Sequence, residues 1–413
     1  MTEMSNLYPK QEIIDGANTE EHIDSIGNAN QVKLKESENE SSSAIIQNEF
    51  EDNEAQELNE ISDLSKKGYQ FLKENRTMEA MACFTKILEN AENNNYALVG
   101  MGDVYRKQGY FRNAVLFYKR CLTYHPGNNY ALFGLADSYK ALNQYRKAIE
   151  IWEKYLVYDS NNIIVLTRVA DAYRKVQDYN HSKESYLHVL ELESQNPYAI
   201  IGLGHLHYDF KEYREALTYW EKMLELNKEA VDIRVLTSIG NCHRKLKTFS
   251  DGIQFFEMAL KRDHNNFYAL FGLADCYRGL QQQDRCLEYW NRILEQDPRN
   301  KVILTRAGDA YRNMDEYDKA ADYYKRALNI EYDTFAVLGL AIIAKAQGRY
   351  DEAIESMRRL IQQDPWNFRF CLVLAESLMM KGEKRQAIEV LENFQHQGIR
   401  NNAIHELLEK IKS

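Results

Sequence analysis

The chain has 413 residues, with 52 basic and 62 acidic side chains and a formal charge of −10. Its mean hydropathy of −0.59 and the lack of a long apolar run exclude a membrane-spanning helix. We expect no secretory signal, because the first residues contain neither a basic nor an apolar region. The six cysteines stand singly, which argues against a disulfide framework or a structural zinc site and favours a reducing cytoplasm.

The net negative charge of the chain comes entirely from its first 60 residues. Residues 1–60 contain 15 acidic and three basic side chains, whereas the remaining 353 residues contain 47 acidic and 49 basic ones. Glu, Asn and Ser dominate the first 60 residues, so too little apolar surface is available to offset the entropy of ordering them. We therefore predict a largely disordered acidic leader over residues 1–60. It acts as a solubilising tail, or it attracts a basic partner or inhibits the protein itself.

After the leader, a pattern recurs every 34 residues. A small residue is followed three positions later by an aromatic residue and nine positions further on by a second small residue, as in Gly102, Tyr105 and Ala114. Between the aromatic and the second small residue lies a turn signal, here residues 107–110. Apolar residues at helical spacing on both sides of a turn predict two amphipathic helices per unit.

This spacing resembles the tetratricopeptide repeat, which has small residues at positions 8 and 20, aromatic residues at 11 and 24, and Pro at 32. In that register we count ten repeats, which begin at residues 61, 95, 129, 163, 197, 233, 267, 301, 334 and 368. The resemblance implies an all-α fold, a right-handed α-solenoid of tandem helix-turn-helix repeats over residues 61–401. Residues 402–413 are predicted to form a C-terminal capping helix, which a solenoid end needs to stay soluble. We place the two additional residues of the fifth repeat in the segment 227–230.

A longer period lies over the first. Residues 129–196 and 267–334 share 27 identities in 68 positions, and residues 130–137 and 268–275 are identical. Duplication of a block of several repeats accounts for this similarity better than a common repeat pattern does. It also indicates that odd and even repeats differ in chemistry.

The resemblance also implies where a partner would bind, because the first helix of each repeat lines the concave groove in this family. The implied groove residues lie mainly at positions 2, 5, 9 and 12 of the repeats, with two arginines at position 6. They are Tyr96, Asp103, Arg106, Tyr130, Phe133, Asp137, Lys140, Thr167, Arg168, Asp171, Arg174, Tyr198, Asn241, Arg244, Tyr268, Phe271, Asp275, Arg278, Thr305, Arg306, Asp309 and Arg312.

Asp at position 9 and Arg or Lys at position 12 recur together in five repeats. One interpretation is a row of ion pairs within each helix, each worth about 0.2–0.5 kcal/mol. The other is a polar track for a bound peptide. The tyrosines at position 2 are equally compatible with binding and with packing, whereas the tryptophans at position 24 are predicted to lie in the core.

Other binding and catalytic functions are not expected. A clamp for chaperone tails would need Lys at position 5, which no repeat after the first has, and Lys at position 2 ahead of Arg168 and Arg306. The chain has no phosphate-binding loop, dinucleotide fingerprint, zinc-protease motif or nucleophile elbow. We predict no metal ion and no cofactor. Binding of nucleic acid is disfavoured by the nearly neutral repeats and the acidic leader.

The sequence therefore predicts a non-enzymatic scaffold in the cytoplasm that binds a peptide or helix of another protein in its groove. Two alternatives remain open. In the first, the chain is a regulatory or targeting subunit that acts in trans on a separate enzyme. In the second, it is a homo-oligomeric structural scaffold whose tyrosine surfaces pair with each other.

Overall fold

The computed structural model describes residues 59–226, 231–398 and 401–412, and the regular secondary structure within these ranges is entirely α-helical. The chain divides into two units, Met1–Lys66 and Lys67–Ser413. Residues 59–66 of the first unit are helical, and the second unit contains the stack of helices analysed below. Most of the acidic leader and the segment 227–230 lie outside the described residues.

Ten helix pairs follow one another along the described chain. Their first helices are α1 (59–73), α3 (Asn95–Lys107), α5 (Asn129–Ala141), α7 (Ile163–Lys175), α9 (Pro197–Asp209), α11 (Ile233–Leu246), α13 (Phe267–Gly279), α15 (Lys301–Asn313), α17 (Thr334–Ala346) and α19 (Phe368–Lys381). Their second helices are α2 (Thr77–Asn90), α4 (Phe111–Tyr124), α6 (Tyr145–Tyr158), α8 (Tyr179–Leu192), α10 (Tyr213–Leu226), α12 (Phe249–Arg262), α14 (Gln283–Gln296), α16 (Tyr317–Leu328), α18 (Tyr350–Gln363) and α20 (Lys384–His396). The last helix is α21 (Asn402–Lys412).

The first helices begin at side-chain caps that the sequence repeats. From α3 to α19, the residue before each first helix is Asn or Asp, and its side chain accepts a backbone N–H from the first turn. Asn94, for example, accepts the N–H of Ala97 at 3.0 Å. Such a cap satisfies one of the donors that a helix start leaves without an intrahelical partner, and contributes about 1 kcal/mol.

The turn inside each pair has one conformation throughout the stack. Position 15 of all ten repeats has a positive φ, which directs the chain from the first helix into the second. Glycine occupies this position in three repeats, at Gly109, Gly348 and Gly382. Seven repeats adopt the same left-handed conformation with a side chain present, at Asn75, Asn143, Gln177, Lys211, Lys247, Gln281 and Asp315. A non-glycine residue in this region costs about 1 kcal/mol.

The core is built around the side chain at position 24 of each repeat. Trp152, Trp220 and Trp290 are fully buried, which confirms the prediction that they pack in the core. Several Tyr and Phe rings at this position lie close to glycines of their own first helix and of the next, as Tyr118 does at Gly102 and Gly134. A Cβ added at Gly134 or at Gly272 would overlap the preceding position-24 ring, which is Tyr118 or Phe256. Close approach between repeats therefore requires glycine at these two positions.

From α2 to α21 consecutive helices contact each other, and first helices also contact the first helix of the next repeat, as α3 does with α5 and α11 with α13. The last helix packs on α19 and α20 and buries Ile404, Leu408 and Ile411. The fold is therefore an all-α solenoid of helix pairs with a C-terminal capping helix, as the sequence predicted. None of the described helices combines the length and the apolar composition that crossing a bilayer requires.

Candidate functional site

The first helices carry most of the predicted groove residues, and the tyrosines at position 2 are their most accessible members. Tyr96 and Tyr130 are exposed, Tyr198 is exposed over 60% of its surface, and Tyr268 is half-buried. Phe133, at position 5, is half-buried, whereas the equivalent Phe271 is only 8% exposed. The aromatic side chains of this face thus differ widely in how much they offer to a ligand.

The aspartates at position 9 have two different sets of partners, and the first set involves a tyrosine. In the second, fourth and eighth repeats the ring at position 24 is a tyrosine whose hydroxyl donates to the aspartate of the same repeat. Tyr118 donates to Asp103 at 2.7 Å, and Tyr186 donates to Asp171 at 2.6 Å. Tyr324 likewise donates to Asp309 at 2.7 Å. Burial and the neighbouring carboxylate raise the pKa of each of these tyrosines well above its ordinary value.

In the third and seventh repeats the partner is an arginine from the next repeat. The guanidinium group of Arg168 donates to Asp137 at 2.9 Å, and that of Arg306 donates to Asp275 at 2.9 Å. Both arginines are at position 6. Each also lies over the ring at position 5 of the preceding repeat, with Arg168 5.1 Å from the centre of Phe133. Arg306 lies 5.0 Å from the centre of the Phe271 ring.

These two arrangements follow from the residues at positions 24 and 6. Wherever the ring at position 24 is Tyr or Phe, the next repeat has glycine at position 6, as Tyr118 is followed by Gly134. Wherever the ring is Trp, position 6 carries a side chain, which is Arg after Trp152 and Trp290. The difference between odd and even repeats is therefore a difference in how one repeat packs on the next.

Where position 12 is Arg and position 9 is Asp, the two form the local pair that the sequence suggested, and some of these arginines also reach beyond their own repeats. Arg312 pairs with Asp309 at 3.1 Å. Arg174 lies 3.5 Å from Asp171 and 2.6 Å from Asp209 in the next repeat. Burial lowers the pKa of Arg174, but Tyr186 and the two carboxylates outweigh this effect and raise it. The interpretation as isolated pairs within single helices is thus incomplete, because some pairs link repeats.

The threonines of the even repeats use their hydroxyl groups within their own helices, and the hydroxyl of Thr305 also lies 3.3 Å from Asp333, which caps α17. Thr167 donates to the carbonyl oxygen of Ile163 at 2.7 Å, and Thr305 donates to that of Lys301 at 3.1 Å. Thr305 is also buried. These side chains contribute to the helices more directly than to an exposed polar track.

The most highly charged place on this face surrounds Asp275. Arg244 and Arg306 approach its carboxylate at 2.6 and 2.9 Å, and Arg278 does so at 3.1 Å. Burial by itself would raise the pKa of this carboxyl, but the three guanidinium charges lower it below its ordinary value. We call these four residues the Asp275 cluster.

The equivalent place in the other copy of the duplicated block surrounds Asp137. Arg168 contacts its carboxylate at 2.9 Å, whereas Arg106 lies 3.9 Å away and is closer to Asp103, at 3.2 Å. Lys140 stands where the other block has Arg278. We call these five residues the Asp137 cluster.

The structure also contains groups that the sequence analysis did not single out. The tyrosine hydroxyls at position 24 and the contacts from position 6 to the preceding repeat were both missed. The signal that could have revealed them is the joint occurrence of Tyr or Phe at position 24 with Gly at the next position 6. Further along the chain, Phe335, Trp366 and Phe368 line an open cavity of about 370 Å³.

Two histidines elsewhere on the stack, His205 and His207, are surrounded by other groups of the fold. His207 is buried and its Nδ1 lies 2.7 Å from Glu212, to which Tyr179 also donates at 2.8 Å. Burial is the main cause that lowers the pKa of His205 to about 4. In the part of the chain that the structure describes, no three His, Cys, Asp or Glu residues are placed to hold a metal ion.

Comparisons with known proteins identify the repeats independently. Family models described as tetratricopeptide repeat match residues 97–130, 130–161, 164–196, 198–233, 268–300, 303–335 and 344–411. No curated protein matches the chain. These matches together extend over most of the stack from the second repeat to the last helix.

Several solved structures are similar to parts of the chain. Yeast Tom70 has 15% identity, with 85% of this chain and 95% of that chain covered and a TM-score of 0.39. A tetratricopeptide repeat protein from Parabacteroides merdae has 17% identity, with 69% and 99% covered and a TM-score of 0.39. YrrB, described as having an unusual peptide-binding site, has 22% identity, with 45% and 95% covered and a TM-score of 0.39.

Proposed function

Because this chain belongs to the tetratricopeptide repeat family, we propose that its role as a protein-interaction scaffold is non-enzymatic and is exercised in the cytoplasm. A peptide or helical segment of another protein binds along the first helices, in the groove that these helices form. Anchoring comes from the aromatic residues at position 2, and specificity comes from the charged residues at positions 9 and 12.

The observation that supports this proposal best is the row of accessible tyrosines at position 2. Tyr96, Tyr130 and Tyr198 occupy the same place on three first helices and are all exposed. Tyrosine offers a large apolar ring, a polar hydroxyl and little side-chain entropy to lose, which makes it frequent among the residues that dominate binding energy.

Site-specific photo-cross-linking tests the location of the binding surface. A photoreactive phenylalanine analogue replaces Tyr130 or Tyr198 on the first helices, and Tyr158 on a second helix serves as the matched control. Tyr158 is 59% exposed and Tyr198 60%, so the two positions differ in their place on the repeat and hardly in access. A partner obtained by affinity purification should cross-link from Tyr130 and Tyr198 and not from Tyr158. Cross-links from Tyr158 alone would refute the proposed surface.

The same preparation distinguishes the two alternatives. A homo-oligomeric scaffold would show a mass above that of one chain in sizing chromatography with light scattering, and the cross-links would join two copies of this chain. A subunit that regulates an enzyme in trans would cross-link to a chain whose activity changes when the scaffold is added. A monomer that cross-links to a non-enzymatic partner supports the simpler role as a scaffold.

A further inference from the structure

The two copies of the duplicated block have diverged in charge at one place. The Asp137 cluster contains three basic side chains and two carboxylates, Asp103 and Asp137. The Asp275 cluster contains three guanidinium groups and a single carboxylate. The excess positive charge is therefore one in the first cluster and two in the second.

Two coupled replacements account for this difference. The hydrogen-bonded pair Asp103 and Tyr118 of the second repeat corresponds, 138 residues later, to Asn241 and Phe256. Without a carboxylate at position 9 of its own repeat, Arg244 contacts Asp275 in the next repeat at 2.6 Å. In the first block, Arg106 remains with Asp103 and stays 3.9 Å from Asp137.

The additional charge is held in place and remains accessible to solvent. The side chain of Asp275 is 4% exposed, whereas those of Arg278 and Arg306 are 49% and 26% exposed. The buried carboxylate holds one side of each guanidinium group. The guanidinium group of Arg306 also lies 5.0 Å from the centre of the Phe271 ring. Guanidinium groups held in this way lose little further entropy when they bind a second carboxylate through paired hydrogen bonds.

We propose that the Asp275 cluster binds a carboxylate of an acidic segment in the partner protein. This inference rests on the proposed function, because the cluster lies on the first-helix face, and it adds the chemistry of the ligand. A carboxylate placed between Arg278 and Arg306 adds a second negative charge to a cluster in which three guanidinium groups contact one carboxylate. The more exposed Arg278 and Arg306 make the contact with the ligand, and the buried Arg244 contributes the third positive charge.

An acidic peptide fits this face better than a nucleic acid does. Negative side chains alternate with the basic ones along the first helices. The carboxylate of Asp309 lies in the same repeat as Arg306, and that of Asp209 lies in the repeat before Arg244. A continuous row of phosphates would meet these carboxylates as well as the arginines and would be repelled by them. Acidic residues that are separated along a peptide avoid this repulsion.

Fluorescence anisotropy with the full-length chain tests the proposal. The probe is a short fluorescein-labelled peptide of glutamate and glycine, and the neutral control contains glutamine in place of glutamate. The glutamate peptide should bind more tightly than the control and should lose affinity as salt is added, because the exposed charges are screened. Arg278→Gln should weaken binding roughly fivefold, as expected for one partly exposed charge pair. The matched change Arg285→Gln, at an arginine of the second helix α14 whose side chain is 59% exposed, should alter affinity less than about twofold.

A second variant keeps the test independent of truncating an arginine. The double change Asn241→Asp with Phe256→Tyr places beside the Asp275 cluster the carboxylate and the hydroxyl that Asp103 and Tyr118 supply in the first block. Arg244 should then contact the new carboxylate of its own repeat, and binding of the glutamate peptide should weaken at least as much as in Arg278→Gln. Circular dichroism verifies that the helical content is unchanged. Equal binding of both peptides, or an affinity that neither variant changes, would overturn the proposal.

The proposal and the scaffold function fail in different ways. A partner that cross-links from Tyr130 and Tyr198, but whose affinity is insensitive to both variants, leaves the groove function intact and overturns the carboxylate site. Conversely, loss of glutamate-peptide binding in Arg278→Gln, with no partner cross-linking from the tyrosines, supports the carboxylate site and refutes the proposed groove.

Discussion

The hydrogen bond from the Tyr118 hydroxyl to Asp103 allows the energetic coupling between positions 24 and 9 of one repeat to be measured. The change Tyr118→Phe removes one oxygen atom from a fully buried ring. With it go the 2.7 Å hydrogen bond to Asp103 and the longer one, at 3.4 Å, that the hydroxyl accepts from Arg106. A hydrogen bond to a charged group contributes about 1.5–3 kcal/mol. Because Arg106 still contacts Asp103 at 3.2 Å, the carboxylate keeps a partner, and we expect a loss of about 1.5 kcal/mol.

A double-mutant cycle isolates this contact. Asp103→Asn removes the charge, and the pair of changes together reproduces the Asn and Phe that the sixth repeat has at Asn241 and Phe256. We expect the double variant to be more stable than the sum of the single losses predicts, by about 1 kcal/mol. A hydrogen-bonded pair that has been replaced as a unit elsewhere in the same chain should tolerate replacement as a unit here.

Hydrogen exchange of the backbone amides in α3 and α4 is the suitable assay, because repeat arrays open locally and need not unfold as one cooperative unit. The single changes should increase exchange in these two helices and leave distant helices such as α18 unaltered. Tyr110→Phe, at an exposed tyrosine in the preceding turn, is the control. Strictly additive losses, or a change at Tyr118 no larger than at Tyr110, would refute the coupling.

Three further predictions test the packing, the titration and the turns. Gly134→Ala should cost about 1–3 kcal/mol in urea unfolding because the new Cβ overlaps the Tyr118 ring, whereas Gly127→Ala should cost little, and equal losses would contradict this. The pKa of His205 is lowered to about 4, so the unfolded chain takes up this proton first and stability falls as the pH drops from about 6.5. His205→Asn should remove up to about 1.4 kcal/mol per pH unit from that fall, and an unchanged pH dependence would contradict the prediction. Lys247→Gly, at a residue with left-handed backbone conformation, should raise the free energy of unfolding by about 0.5–1 kcal/mol. A decrease would show that the Lys247 side chain stabilises the fold by more than its backbone strain costs.

The repeat pattern was predictable from the sequence because its causes are local. The 34-residue period, the turn at position 15 and the buried ring at position 24 each follow from a few neighbouring residues whose spacing matches a helix. The prediction that Trp152, Trp220 and Trp290 pack in the core is confirmed for the same reason. Such features need only short-range periodicity to be recognised.

The roles of individual groove residues were less accessible. The sequence places Asp103 and Asp275 at the same position of their repeats, yet one contacts a tyrosine of its own repeat and the other three arginines from three different repeats. Phe271 and Phe133 also share a position and differ in burial. Whether the groove residues bind a partner stays a prediction, which the cross-linking and peptide experiments address.

The sequence by itself determined that ten helix pairs stack, where each pair turns and that the tryptophans at position 24 lie in the core, and its long period indicated that alternate repeats differ. Only the tertiary structure decided what that difference is. A tyrosine or phenylalanine ring at position 24 allows the next backbone to approach over glycine, whereas a tryptophan is paired with a side chain at position 6. That choice determines which charge reaches each aspartate. It depends on contacts between one repeat and the next, such as that of the Tyr118 ring with Gly134, which form only once the repeats are packed.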